Sequence, residues 1–227
     1  MLTSTRRRAA QRGLSIVEMM VGVVVGLVVV GAATILSGRN IVNARSLLSE
    51  VRVNQDLRAV ADLVTRDLRR AAYWDNAILG VKTTATSTVA QANPYSAVST
   101  PDGSSITYSF TRDATEDDAL GANEQFGFRL QDGRVEMQTS DGTWQSITDA
   151  NAVTVTAFTI TPTATTLALG HLCPVVCAPG APNCPTVTVR RYELLLRGQS
   201  TRDSAVVREL RSMVRVRNDR FAGACPA

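Results

Sequence analysis

The chain has 227 residues, of which 44% are hydrophobic, and it carries 24 basic and 20 acidic side chains. This length suffices for one or two domains with a buried core. Four of the basic residues are arginines that precede position 14, and the other 20 basic side chains match the 20 acidic ones. That balance argues against a broad phosphate-binding surface and so against a general nucleic-acid-binding protein, although it leaves room for a local patch.

An apolar run from Leu14 to Leu36 contains 23 residues and a single charge, Glu18. A helix rises about 1.5 Å per residue, so this run can span a hydrocarbon core of about 30 Å. The arginines before it predict a cytoplasmic N-terminus and an exported remainder. A cleaved secretory signal is the alternative, since Gly31–Ala33 offers small residues. Signal cores, however, usually have about 7–15 residues and no acid, so we expect a single-pass membrane helix.

The helix is predicted to continue to Ala72, because no proline or glycine occurs after Ile41 in this stretch. Apolar residues recur in steps of three and four, which predicts one stripe that faces a core. The stripe comprises Ile41, Ala44, Leu48, Val51, Leu57, Val60, Val64, Leu68 and Ala71. We interpret the charged residues between them as a solvated face, on which Asp62 and Arg66 are spaced as a weak ion pair.

The remainder of the chain predicts an antiparallel sheet that follows a polar loop at 78–101. Alternating residues predict strands at 104–110 and 153–161. Asp132-Gly133 and Asp141-Gly142 predict the two turns of a three-stranded meander. A long final hairpin is predicted from 186 to 219. The acidic loop between 111 and 125 could bind calcium, but it lacks EF-hand spacing, so we interpret it as a solvated loop.

Four cysteines, Cys173, Cys177, Cys184 and Cys225, follow the predicted export segment. An even number in an oxidising compartment predicts two disulfides. A zinc site is the alternative, but the spacing is not the paired CxxC of a zinc ribbon, and we interpret the lone His171 as a loop residue. Three pairings are possible. We favour one bridge within Cys173–Cys184 and one from Cys225 back to that loop, with no metal.

The stretch RGLSIVEMM resembles the class III signal of type IV prepilins and pseudopilins. In that signal a basic leader ends in glycine, and a glutamate stands at the fifth mature position of an apolar helix. Gly13, Leu14 and Glu18 match these positions, with leucine in place of the usual phenylalanine. The resemblance implies cleavage by prepilin peptidase between Gly13 and Leu14 and N-methylation of Leu14. It further implies an assembly salt bridge from Glu18 to the new amine of a neighbouring subunit.

The predicted order of elements resembles the α+β architecture of pilins, in which a long N-terminal helix packs on an antiparallel β-sheet. The helix has a membrane half and an amphipathic half. We therefore expect a prepilin leader at 1–13, a transmembrane and filament-core helix at 14–36 and its amphipathic continuation at 37–75. A periplasmic β domain with the cysteine loop would occupy 76–227. The stretches 57–74, 192–198 and 208–219 resemble the PilW group of minor type IV pilins.

This resemblance implies a non-catalytic minor pilin that primes type IV pilus assembly and sits in the tip complex, with a role in twitching motility. The expected partners are prepilin peptidase, other minor pilins, the major pilin and a PilY-type tip adhesin. Before assembly the protein would lie in inner-membrane lipid with its C-terminal domain in the periplasm, and afterwards at the pilus tip on the cell surface.

Two alternatives stay open, and both are non-catalytic. One is a J-type minor pseudopilin of a type II secretion system. The other is a tip module that binds DNA or surfaces through the arginines of the final hairpin, although nucleic acid is not the partner that we expect. These arginines are Arg190, Arg191, Arg197, Arg208, Arg211, Arg215 and Arg217. The sequence contains no phosphate-binding loop, nucleophile elbow or HExxH motif, so we expect neither an enzyme nor a cofactor.

Overall fold

The computed structural model describes residues 15–81, 91–178, 181 and 183–226. Its first element is helix α1, Ile16–Leu68, which is 53 residues long. Because this stretch contains no proline, nothing interrupts its backbone hydrogen bonds. The chain divides after Leu47 into two compact units, and α1 contributes residues to both. Among the described residues, the first unit contains Ser15 and α1 as far as Leu47, and the second contains the rest of α1 and all the described strands.

The end of α1 lies four residues before the predicted one, at Leu68 instead of Ala72. The last turn tightens, because the N–H of Arg70 donates to the carbonyl of Asp67 at 2.9 Å. Ala72 then adopts a left-handed conformation with φ of 60°. Its N–H donates to the carbonyl of Ser109 at 2.8 Å. This hydrogen bond gives the Ala72 N–H a partner outside the helix and turns the chain towards the sheet.

The first sheet has five antiparallel strands in chain order, β1 to β5. Their bounds are Val98–Ser99, Ser105–Ser109, Gln125–Gln131, Arg134–Gln138 and Trp144–Ser146. The predicted meander of β3, β4 and β5 is confirmed. Its first turn has φ of 49° at Asp132 and 73° at Gly133, as a two-residue hairpin turn requires.

The second sheet contains β6, β7 and β8 in that order, and β9 pairs with β7. Their bounds are Val153–Ala168, Thr186–Ser200, Val207–Arg215 and Arg220–Ala222. The predicted final hairpin is confirmed as β7 and β8. The prediction ended β6 at Thr161, but the strand continues past Pro162, which lies opposite Tyr192. An edge strand tolerates proline, because one of its sides needs no N–H donors.

The core of the second unit lies between the C-terminal part of α1 and the two sheets, which confirms the α+β class. Its fully buried side chains include Val53, Leu57, Val64, Phe128, Phe158, Leu194 and Leu196. The predicted stripe is wrong at Ala44, which is exposed, and at Leu48 and Val51, which are 70% and 52% exposed. At about 100° per residue, Leu48 and Val51 lie roughly 180° and 120° from Leu57, whereas Val53 lies on the same side as Leu57. The side chain of Ile41 lies outside the described part of the chain.

Candidate functional site

The apolar part of α1 is the first candidate site. An 18-residue window in this helix has a mean hydropathy of 2.6, and none of the window is buried. Every side chain from Ser15 to Asn40 is exposed. Within the described residues, α1 is the one helix that is long and apolar enough to cross a membrane. Its apolar side chains suit lipid or another apolar surface, so this single N-terminal helix can serve as a membrane anchor.

Glu18 lies in the first turn of α1, and its side chain is exposed. Negative charge is favourable at a helix N-terminus, because the backbone N–H groups of the first turn have no carbonyl partners in the helix. The N–H of Met19 donates to the carbonyl of Ser15 at 3.1 Å, which is an early hydrogen bond of this helix. Gly13 and Leu14, where cleavage and N-methylation are predicted, lie outside the described residues, so these roles stay predictions.

No described residue from elsewhere in the chain packs against the glycines of this helix. A Cβ atom placed on Gly22, Gly26, Gly31 or Gly38 would meet no other atom within 4 Å, apart from the local helix backbone. A glycine inside a helix costs about 0.5–1 kcal/mol relative to alanine. Because no contact within the described part of the chain explains that cost, the spacing of Gly22 and Gly26 points to a neighbouring helix or to local softening of α1.

The charged face of α1 makes specific contacts at its polar positions. The Oγ of Ser49 donates to the Oγ of Ser200 at 2.8 Å, and Arg208 donates to the carboxylate of Glu50 at 2.5 Å. Glu50 therefore has a partner, while its side chain stays 37% exposed, in keeping with the predicted solvated face. These two contacts connect α1 to β7 and β8, next to the point where the buried stripe begins at Val53.

Asp67 near the end of α1 is buried, at 8% exposure, although the sequence interpretation placed it on the solvated face. Its carboxylate accepts a hydrogen bond from the Tyr108 hydroxyl at 3.3 Å and pairs with Arg70. The Arg70 guanidinium lies 4.5 Å from the centre of the Phe110 ring. Burial, with the nearby Asp67 carboxylate, raises the pKa of Tyr108 well above its usual range. Tyr108 is therefore a neutral donor, and this cluster fixes the end of α1 on β2.

The cysteines form two disulfides, Cys177–Cys184 and Cys173–Cys225. The first closes the loop between β6 and β7, and the second ties the C-terminal segment to that loop across 52 positions. All four sulfurs are therefore in disulfides, so none is a thiolate that could bind zinc. Gly223 follows β9 with φ of 82°, and a Cβ there would lie 2.1 Å from the Cys184 carbonyl oxygen. Only glycine fits this approach of the C-terminal segment to the loop.

The acidic loop between β2 and β3 is largely exposed, as the sequence predicted, but two of its acids make specific contacts. Tyr95 is fully buried, and its hydroxyl donates to the Glu116 carboxylate at 2.9 Å. The Asp118 carboxylate accepts hydrogen bonds from the Trp74 indole at 2.7 Å and from Asn76 at 3.0 Å. These acids hold the loop against the residues that follow α1. Burial, together with the hydrogen bond to Glu116, raises the pKa of Tyr95, which keeps it a neutral donor.

The arginines of the final hairpin do not form a row of free cations. Four of the seven are occupied by carboxylates or backbone carbonyls. Arg190 donates to the carbonyls of Ser96 and Asn218, while Arg208 pairs with Glu50, Arg211 with Glu193 and Glu209, and Arg215 with Asp219. This removes most of the charge on which the DNA-binding alternative depended.

The comparison with protein families matches the part of the chain that follows the apolar run. A family model described as PpdB, prepilin peptidase-dependent protein B, matches residues 46–216, about three quarters of the chain. No curated protein and no solved structure shows a significant match. The matched residues begin after the apolar run and include α1 from position 46 onward and strands β1 to β8. The name of the family refers to prepilin peptidase, the enzyme that RGLSIVEMM separately implies. The chain therefore belongs to the PpdB family and is a pilin-related protein.

Proposed function

We propose that this protein is a PilW-type minor pilin that primes type IV pilus assembly and takes a place in the pilus tip complex. The observation that carries the proposal is the exposed apolar helix with an acid in its first turn, joined to a domain of the PpdB family. Such a helix needs lipid or neighbouring helices around it, and a filament core supplies the latter. The role is structural, without catalysis and without a cofactor.

In this proposal residues 1–13 are a leader that prepilin peptidase removes. Residues 14–36 then form the transmembrane and filament-core helix, 37–75 its amphipathic continuation, and 76–227 the periplasmic domain. The same peptidase N-methylates Leu14 after the cut. The loss of the leader removes four arginines from the N-terminus, so the helix no longer carries the charges that hold its N-terminus on the cytoplasmic side.

The cut also gives Glu18 a partner. Leu14 acquires a cationic amine, and the Glu18 carboxylate pairs with the amine of a neighbouring subunit. At 4 Å two opposite charges attract by about 1 kcal/mol in bulk water and by roughly 4 kcal/mol at an effective dielectric constant of 20. The pair therefore stabilises a filament contact more than it would stabilise a contact in water. A carboxylate without a partner would instead oppose burial in lipid.

The partners and location in this proposal are those of a tip subunit. Inner-membrane lipid surrounds α1 before assembly, and other minor pilins, the major pilin and a PilY-type adhesin surround the protein in the filament. The disulfides support a domain that folds in the periplasm, since such bridges persist in oxidising compartments.

The substitution Gly13→Val tests the proposal at the processing step. We expect the branched side chain to block cleavage, so that the protein keeps its leader and lacks the N-methyl group. Intact-mass measurement of the purified membrane fraction distinguishes the two forms directly. The matched control is Gly38→Ala, where the added Cβ meets no atom within 4 Å, and this variant should be processed normally. Normal processing of Gly13→Val would overturn the proposal.

The alternative is a J-type minor pseudopilin of type II secretion, which would share the leader, Glu18 and the fold. Cells that lack this protein entirely distinguish the two functions. If the protein is a minor pilin, we expect its loss to reduce surface pili and twitching while the secretion of folded enzymes continues. Loss of secretion with normal pili would instead assign the protein to the secretion system.

A further inference from the structure

A surface cleft of about 470 Å³ lies where the end of α1 meets the chain that follows β8. Its lining consists of Asp62, Thr65, Arg66, Arg69, Arg70 and Arg217. The two segments are joined by hydrogen bonds, because the N–H of Arg217 donates to the carbonyl of Arg69 at 3.1 Å. The amide of Asn218 donates to the carbonyl of Ala71 at 3.4 Å. We call this feature the arginine cleft.

Three of its four arginines have no carboxylate partner. Arg70 pairs with Asp67, but none of the salt bridges among the described residues involves Arg66, Arg69 or Arg217. The ion pair predicted between Asp62 and Arg66 is therefore absent from this part of the chain. The residues outside the described ranges contain no aspartate or glutamate, so no side chain there can supply the missing carboxylate.

The cleft brings together three guanidinium groups that form no salt bridge among the described residues, those of Arg66, Arg69 and Arg217. The lining has four arginines and one carboxylate, Asp62, so positive charge is in excess and an anion that enters reduces the repulsion between the guanidinium groups. Each guanidinium presents five N–H donors in a planar fork that matches the oxygens of carboxylate and phosphate.

The number of donors favours phosphate over carboxylate. A single carboxylate has two oxygens, whereas a terminal phosphate group has three and carries more charge at neutral pH. A concave site that three arginines line can surround such a group from several sides. We propose that the arginine cleft binds a phosphoryl group. This inference is independent of the place of the protein in a filament, because it rests on the cleft alone.

The phosphoryl group could belong to a soluble phosphate compound or to a phospholipid headgroup, which present the same oxygens. Two probes distinguish these sources. Pyrophosphate represents the soluble source, and dihexanoyl phosphatidic acid, a short-chain lipid with a terminal phosphate, represents the headgroup. Citrate serves as the carboxylate probe of comparable charge.

The experiment is calorimetric titration of the full-length protein in neutral detergent at low salt, because salt screens exposed charges. We expect saturable binding of pyrophosphate that weakens about tenfold or more in Arg69→Ala and in Arg217→Ala, since each removes charge-assisted hydrogen bonds. Arg197→Ala is the matched control, because Arg197 is exposed on β7 and lies outside the cleft. Far-UV circular dichroism verifies that each variant is folded.

The lipid probe assigns the source. If dihexanoyl phosphatidic acid binds more tightly than pyrophosphate and Arg69→Ala weakens this binding, the proposal is supported and the ligand is a lipid headgroup. If the lipid binds more weakly than pyrophosphate, the proposal is supported and the ligand is a soluble phosphate compound. Three results would overturn the proposal. They are no saturable binding of either phosphate probe, equal weakening in Arg197→Ala, and citrate binding as tight as that of pyrophosphate.

Discussion

Asp56 on α1 is a partly buried acid that its surroundings accommodate poorly. Its Oδ2 atom is buried and has no hydrogen-bond partner within the described structure. Burial raises the pKa of the Asp56 carboxyl, and the nearby Asp149 raises it further, while Arg52 opposes both. The charged form of Asp56 is therefore less favourable in the folded protein than in the unfolded chain.

The substitution Asp56→Asn should stabilise the protein at neutral pH. Because the pKa of Asp56 is higher in the folded protein, the carboxyl group contributes most to stability below its ordinary pKa of 3.8. This contribution is lost as the pH rises through the pKa of Asp56 in the folded protein. We expect Asn to raise the free energy of unfolding at pH 7 by less than about 1 kcal/mol, because the site is partly exposed. Near pH 3 the two proteins should not differ.

Urea unfolding at the two pH values tests this prediction. Near-UV circular dichroism of the full-length protein in detergent reports on Trp74 and Trp144, which both lie in the second unit. If the difference between Asp56→Asn and the parent is the same at pH 7 and pH 3, the cause is not the charge.

The interaction partners of single charged residues could not be predicted from the sequence. The periodicity of α1 assigned Glu50 and Asp67 to its charged face, but their partners Arg208 and Tyr108 are 158 and 41 positions away. A helical pattern assigns a residue to a face and contains no information about what another element places opposite it. The Tyr108 hydroxyl and the Arg208 guanidinium are therefore visible only in the folded structure.

The two disulfides differ in how much of the chain they constrain. Cys173–Cys225 spans 52 positions and holds β9 and the C-terminal segment, whereas Cys177–Cys184 spans seven positions within one loop. In the chain-entropy account, a longer closed loop restricts the unfolded chain more strongly. The stabilisation is then about 4 kcal/mol for the first bridge and about 2.5 kcal/mol for the second.

We therefore expect Cys173→Ser/Cys225→Ser to lower the free energy of unfolding more than Cys177→Ser/Cys184→Ser does. Urea unfolding without reductant measures both differences, and each double variant serves as the control for the other because both lose one bridge. Limited proteolysis adds a local test, since only the first variant should release the segment that follows β9. Equal losses, or the reverse order, would contradict this account.

At the level of elements, sequence reasoning succeeded where turns and alternation were strong. Asp132-Gly133 identified the β3–β4 hairpin, because a two-residue hairpin turn needs positive φ at both positions and aspartate and glycine are favoured there. It failed for the second half of β6, where TPTATTLA contains a proline and every side chain is exposed. Because this half of the strand has no buried face, its residues do not alternate between apolar and polar, and the sequence contains no strand signal. That half of the strand is specified by pairing with β7, which is a contact that the sequence of β6 does not contain.

At the level of the whole molecule, a feature that lies within one stretch of sequence can be predicted from that stretch, whereas a site built from distant segments cannot. The leader, Glu18 and the apolar run form a local pattern, so they can be recognised without any knowledge of tertiary contacts. The arginine cleft could not be recognised in this way, because Arg217 and Arg69 are 148 positions apart and meet only through the hydrogen bond between them.

In the proposed function, Glu18 acquires a charged partner only when the protein assembles with other subunits. Among the described residues its side chain is exposed, and a Cβ atom added to Gly22 or Gly26 would meet nothing within 4 Å beyond the local helix backbone. If the Glu18 carboxylate pairs with the amine of a neighbour, Glu18→Ala should leave membrane insertion intact, since it removes a charge that lipid disfavours. Incorporation into filaments should fall at least about tenfold, the factor that corresponds to 1.4 kcal/mol.

Membrane fractionation and immunoblots of sheared filaments measure insertion and incorporation in the same cells. Val17→Ala is the matched control, because Val17 is an exposed neighbour in the same turn and carries no charge. Glu18→Asp keeps the charge on a shorter side chain and should restore part of the incorporation. If Glu18→Ala enters filaments as well as Val17→Ala does, the pairing role is wrong. Membership of the PpdB family would still hold, because it rests on residues 46–216 and not on this acid.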